Sequence, residues 1–253
     1  MKNFISVLLL LAFVAVSAQW KTNWNKEDKF TYYDQQRLTW GYFVGMNYFD
    51  FKLHPTGDGI NEYGRFNVES VASPGFSAGL MGRMRINDYF DLFVQPGIHF
   101  TERTLYFNHI RTGQMIEFPD GSMQAATPQD SIRDIKSSYI DVPIFLQLHG
   151  DRWFNTRPYI QAGLGYAVNL QSEEKSTDDN YDGVFRMKTH GFNWQIEGGI
   201  SIYFRRFKLT PSVKGIFFFN NELVADDPTS PNVWAGALSA MHTRAVVFSV
   251  KFE

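Results

Sequence analysis

From residue 38 onward the chain alternates apolar and polar residues in runs, separated by stretches rich in Gly, Pro, Asp and Ser. A period of two predicts β-strands, because successive side chains point to opposite faces. The clearest unit spans residues 74–100. Phe76, Ala78, Leu80, Met84 and Ile86 share a face, as do Phe90, Leu92, Val94, Ile98 and Phe100 on the following run. The opposite faces carry Ser77, Arg83 and Arg85, then Asp91, Gln95, His99 and Arg103. Parity selects the turn. Asn87, Asp88 and Tyr89 together pair Ile86 with Phe90, Arg85 with Asp91, Phe76 with Phe100 and Ser77 with His99. A two-residue turn would set an apolar side chain against a polar one at every step.

The same pattern predicts strands at 38–53, 138–148, 159–170, 190–204, 207–219 and 243–253. With Arg205 and Arg206 as a turn, Phe204 meets Phe207, Trp194 meets Phe217, Phe192 meets Phe219, and Glu197 meets Lys214. A two-residue hairpin turn usually holds Asn or Gly rather than Arg-Arg, so a longer turn with the same pairing is an alternative. The eight strands are joined by connections that alternate long and short, starting and ending with a long one. That asymmetry belongs to membrane barrels, whose strand number is even and whose turns are short on one side only. A spanning sheet must also close, since lipid offers its backbone no partners.

The inward face would carry Arg83, Arg85, Asp91, His99, Asp141, Glu197, Lys208, Lys214 and Lys251, among others. No soluble sandwich points so many charges at its core, where each unpaired one costs about several kcal/mol. A lipocalin-like barrel could turn them outward. Its lumen would then have to hold too many large rings for eight strands. Aromatic pairs at strand ends also fit interfacial girdles. The expected fold is therefore all-β: an eight-stranded antiparallel transmembrane β-barrel of outer-membrane type, with a plugged polar interior.

Ahead of the barrel, Lys2 precedes an apolar run at 4–16 that ends in Ala15, Val16, Ser17 and Ala18. This reads as a secretory signal over 1–18, cut after Ala18. The run is short of the ~20 residues of a spanning helix, which weighs against an anchor. Residues 19–37 read as a polar periplasmic arm and 38–253 as the barrel domain. An exported chain with no cysteine does not rely on disulfides. A formal charge of −2 gives a nucleic-acid partner no electrostatic support. The ending Phe248, Val250, Phe252, Glu253 is a partial match to the assembly signal of outer-membrane proteins, or simply a closing strand.

Three sets of residues invite chemistry. Ser77, His99 and Asp141 all face inward, and a Ser-His-Asp set can hydrolyse lipid, but geometry defines a triad and the register to Asp141 is open. Lumen packing is the preferred reading, with no catalytic residue. Asp178, Asn180, Asp182 and Gly183 match the start of a calcium loop, yet Thr189 stands where its bidentate Glu belongs. A solvated acidic loop is preferred. Arg85–Asp91 and Glu197–Lys214 read as structural lumen pairs. The histidines show no metal-ligand spacing, and no metal, cofactor or small-molecule substrate is expected.

Residues 41–47 (GYFVGMN) with Asp50, Phe51 and Lys52, then Pro74-Gly75-Phe76 and Arg83-Met84-Arg85-Ile86, carry a family likeness. So do Asp91 to Gly97, Asp141-Val142-Pro143, residues 155–163 and the ending Phe248 to Glu253. In these the chain resembles the PorT family, small outer-membrane barrels of the type IX secretion system of Bacteroidetes. The resemblance implies a non-enzymatic part in protein export across the outer membrane, and in gliding bacteria in motility. It carries over no catalytic residue. The expected place is the outer membrane, multi-pass in lipid, with long loops outside and both termini periplasmic. Trp20, Trp24, Arg152, Trp153, Arg205 and Arg206 are then candidate contacts for periplasmic secretion-system proteins. The alternatives are an OmpX-like barrel with a structural or adhesive role and a lipid-modifying enzyme.

Overall fold

The computed structural model describes residues 34–56, 60–61, 64–65, 67–180 and 182–253. The predicted signal segment and most of the arm, with Trp20 and Trp24, lie outside the described residues. Eight strands form the wall: β1 Leu38–Pro55, β2 Pro74–Arg85, β3 Phe90–Val94 continued by Gly97–Phe107, β4 Ile132–His149, β5 Thr156–Asn169, β6 His190–Tyr203, β7 Lys208–Phe218 and β8 Leu238–Phe252. Each is antiparallel to the next, and β1 pairs with both β2 and β8, so the sheet closes. Gln95 and Pro96 interrupt β3 because proline has no N–H for the ladder. The register with β2 nonetheless continues across the gap, from Gly82–Val94 to Gly79–Gly97.

The β2–β3 hairpin has the register that parity selects. Arg85 lies opposite Asp91, Phe76 opposite Phe100 and Ser77 opposite His99. Asn87 Oδ1 closes the three-residue turn by accepting the N–H groups of Tyr89 (2.9 Å) and Phe90 (2.8 Å). Between β6 and β7, Trp194 faces Phe217 and Glu197 faces Lys214. Phe204 donates to the Phe207 carbonyl at 2.9 Å, and their rings stack at 4.6 Å, so Arg205 and Arg206 are the whole turn. The outward apolar faces are exposed along the wall, Leu80 by 64% and Leu164 by 66%. In a membrane that surface belongs to lipid.

The wall is longer than the sequence pattern predicts. Both β1 and β4 run for 18 residues, against the ~9–11 that cross a bilayer. The long connection expected between the 74–100 unit and the strand at 138–148 is largely ordered: β3 extends to Phe107, β4 begins at Ile132, and Met115–Glu117 pairs with Met123–Ala125. The last strand starts at Leu238 instead of 243. The reason is an inversion of polarity. Beyond Tyr48, Phe100, Ile140 and Val246 the outward positions become Asp50, Lys52, Glu102, Lys136 and Arg244, while Phe51, Leu105, Phe107, Ile135 and Met241 turn inward and are buried. Arg244 and Asp50 form an outward ion pair at 2.7 Å. The level of this inversion marks where the wall leaves lipid for water.

Above it the strand ends and long connections build an apolar dome. Phe51, Phe107, Ile116, Phe185, Met187 and Trp234 lie in one buried cluster. Below it the lumen is filled by polar groups and by the rings of Phe43, Phe49, Tyr139, Phe145 and Phe218. Glycine makes room for them. A Cβ on Gly79 would come within 2.4 Å of the Pro96 carbonyl and 2.6 Å of the Phe43 ring, and one on the facing Gly97 would come within 2.7 Å of the same ring. Gly79→Val is expected to overpack the wall and cost about 1–3 kcal/mol. The denaturant midpoint of the refolded barrel measures it, and an unchanged midpoint overturns this packing assignment.

Candidate functional site

The groups able to do chemistry fall into a lumen network, the mouth at the short-turn end, and the acidic loops of the dome. Inward alternation delivers the lumen groups, and burial forces them to find partners. Glu197 is 1% exposed and accepts from the Lys251 ammonium and from the Tyr159 hydroxyl (2.5 Å). This corrects the expected Glu197–Lys214 pair. The two residues are opposite in register, but inward side chains converge on the barrel axis, so Lys251 on β8 reaches the carboxylate first. The Lys214 ammonium lies instead over the faces of Phe43 (5.2 Å) and Phe145 (5.8 Å).

The expected Arg85–Asp91 pair is corrected likewise. Asp91 meets Arg83 (3.7 Å) and His149 (3.3 Å), its diagonal neighbours on the two adjacent strands. Arg85, at the rim, swings out to Asp88 in the turn. Ser77 and His99 do meet, with Oγ 2.7 Å from Nδ1. Asn47 donates to the same hydroxyl at 2.7 Å. Asp141 is held elsewhere, by the amides of Asn193 (3.0 Å) and Gln195 (2.6 Å). The serine and histidine are therefore together without the acid of a triad, and both are fully enclosed.

At the short-turn end, Asp34 is a hub that sequence reasoning missed. It accepts from the Tyr203 hydroxyl (2.8 Å) and from Arg152 (3.4 Å), and it lies 3.9 Å from Arg157. The Arg152 guanidinium stacks 4.0 Å over the Tyr203 ring. A cleft of about 320 Å³ opens beside this hub, lined by Arg83, Arg85, Asp91, His149, Arg152 and Arg157. Nothing in the irregular polar stretch around Asp34 signalled this role, because its partners come from two distant parts of the chain, the 152–157 turn and Tyr203.

The neighbouring turn carries an unusual backbone. Trp153 and Thr156 exchange backbone hydrogen bonds (2.8 and 3.0 Å), so Phe154 and Asn155 form a two-residue turn. Phe154 has φ 54°, a left-handed conformation that costs a bulky residue about 1–2 kcal/mol and is normally given to Gly or Asn. Phe154 and Trp153 are each 56% exposed. Of the predicted contact residues, Arg152 lines the mouth cleft, while Trp153, Arg205 and Arg206 are exposed at the rim.

In the dome, the calcium-like segment is engaged by protein groups. Asn180 donates to Asp226 (2.7 Å), Asp179 accepts the Asp227 N–H (3.0 Å), and Arg133 donates to the Asn180 carbonyl. Burial pushes the Asp226 carboxyl above its usual range, opposed by the Asn180 amide and the Ala235 N–H. Tyr181 lies outside the described residues. Among the described residues no group of three or more His, Cys, Asp or Glu is placed to hold a metal ion.

The outer membrane protein beta-barrel domain family matches residues 18–224. No curated protein matches the chain. Among solved structures, Neisserial surface protein A is similar over 85% of this chain and 98% of its own, at 10% identity and a TM-score of 0.39. The attachment invasion locus protein Ail of Yersinia pestis, solved with the heparin analogue sucrose octasulfate, is similar over 86% and 99%, at 9% identity and TM-score 0.37. OprG of Pseudomonas aeruginosa is similar over 84% and 92%, at 12% identity and TM-score 0.37.

Proposed function

The chain belongs to the outer membrane protein beta-barrel domain family, and from that premise we propose that it serves type IX protein secretion as a non-enzymatic accessory barrel. Its long connections face outside and its termini and short turns face the periplasm. It acts by scaffolding or assembly, meeting other secretion-system proteins through the arm and the short turns, and in gliding bacteria it contributes to motility. The PorT-like residues of β1 to β5 point to this system. The observation that favours scaffolding over conduction or chemistry is the filled lumen, in which the Ser77–His99 pair is sealed and Asp141 is engaged elsewhere.

Deletion followed by comparison of the secreted proteins tests the reading. The expected outcome is loss of exported cargo, restored equally by the parent and by Ser77→Ala. Unchanged secretion in the deletion strain overturns it. A second reading, an OmpX-like barrel with a structural or adhesive role, is favoured by the folded dome, which offers a fixed surface at the long-loop end. In that case deletion alters envelope integrity or surface binding and spares secretion.

A further inference from the structure

We propose that the rim formed by Trp153, Phe154, Phe204, Arg205, Arg206 and Phe207 docks a protein whose surface is acidic and carries an apolar pocket. This rests on the reading above of a barrel that works through partners at its short-turn end. The two turns are adjacent, since the Asn155 carbonyl accepts the Tyr203 N–H at 2.7 Å. Their six residues therefore make one surface, and all six are exposed.

Phe154 carries the argument. Its left-handed backbone is strained for a large side chain, and among the described residues only the neighbouring Trp153 ring stands against its own, at 6.2 Å, leaving the residue more than half exposed, so folding gains little from it. The turn is nevertheless held rigidly. Two backbone hydrogen bonds close it, and Arg152 Nε donates to the Phe154 carbonyl at 3.1 Å while its guanidinium rests on Tyr203. A bilayer interface accepts aromatic rings in many orientations and does not reward one fixed, strained geometry. A partner with a shaped pocket does, because a ring held in its bound position loses no freedom on docking. Trp and Arg beside it are the residue types that anchor such contacts. The charge of the partner follows from Arg205 and Arg206. Neither side chain has a hydrogen bond or ion pair with a described residue, whereas nearby Arg152 and Arg157 are both engaged with Asp34. Two adjacent, unanswered cations call for carboxylates opposite them.

The test uses the full-length protein in its native outer membrane, with a photoreactive phenylalanine in place of Asp151, an exposed residue just outside the patch. The expected result is a discrete protein adduct that falls about tenfold or more with Phe154→Gly and with the Arg205→Gln, Arg206→Gln pair, as loss of an anchor residue predicts. The denaturant midpoint of Phe154→Gly should equal or exceed the parent's, because glycine relieves the turn. Adducts with phospholipid alone, or a protein adduct insensitive to both variants, overturn the proposal. So does a Phe154→Gly chain less stable than the parent, which would give the ring a role in the fold. If deletion spares secretion but the adduct behaves as expected, the secretion reading fails and the docking surface stands.

Discussion

Glu197→Ala is expected to destabilise the barrel by about 3–5 kcal/mol, the cost of leaving a buried charge without its partner. Lys251 and Lys214 are 3% and 2% exposed, so neither ammonium can reach water when the carboxylate is gone. The Tyr159 hydroxyl loses its acceptor in the same step. Unfolding of the refolded barrel in lipid vesicles, followed by its heat-dependent gel mobility, gives the midpoint. Glu197→Gln keeps the shape and an acceptor for Tyr159 but not the charge, and should fall between parent and alanine variant. Lys251→Met combined with Glu197→Gln should cost less than the two singly, by about 0.5–3 kcal/mol of coupling. Additive single effects would mean that the two groups do not form the pair described.

Trp234→Ala should cost a similar amount, about 3–5 kcal/mol for a large buried ring, but at the other end of the molecule. Trp234 is 1% exposed. Its Nε1 donates to the Asp130 carbonyl at 2.8 Å, and its face lies 5.1 Å from the Arg133 guanidinium. One side chain thus ties the connection before β8 to the one before β4. Limited proteolysis of the intact membrane protein should show new cleavage in 111–131 and 222–237. The wall, held by its own ladders, should keep its heat-dependent mobility. Protection unchanged in both connections would show that the dome does not depend on this residue.

The hairpin from β2 to β3 was readable in full, turn included, because period-two parity leaves one register that keeps apolar with apolar. The Arg-Arg turn was readable for the same reason, against turn preference. Ion pairing was not. Register specifies which backbones are neighbours, whereas inside a narrow barrel long side chains converge, and Lys251 outcompetes the register neighbour Lys214 for Glu197. The upper halves of β3 and β4 escaped notice because the apolar face changes sides where the wall leaves lipid, so the expected alternation stops although the strand does not. Trp234 and Asp34 lie in stretches without a period, and their partners are distant in sequence. Only folding brings them into view.

The polarity inversion also has a mechanical meaning. From Tyr42–Phe252 to His54–Ala240 the β1–β8 ladder keeps one register through the level where lipid gives way to water, and β3–β4 does the same from Gly97–Asp141 to Tyr106–Ile132. Along these seams the register is unbroken across that level, and in β1–β8 it shifts only beyond His54. The dome is therefore a handle rather than a lid. Force applied to it is delivered, without slack, as torque and tilt on the ring held in the membrane and on the turns at its far rim.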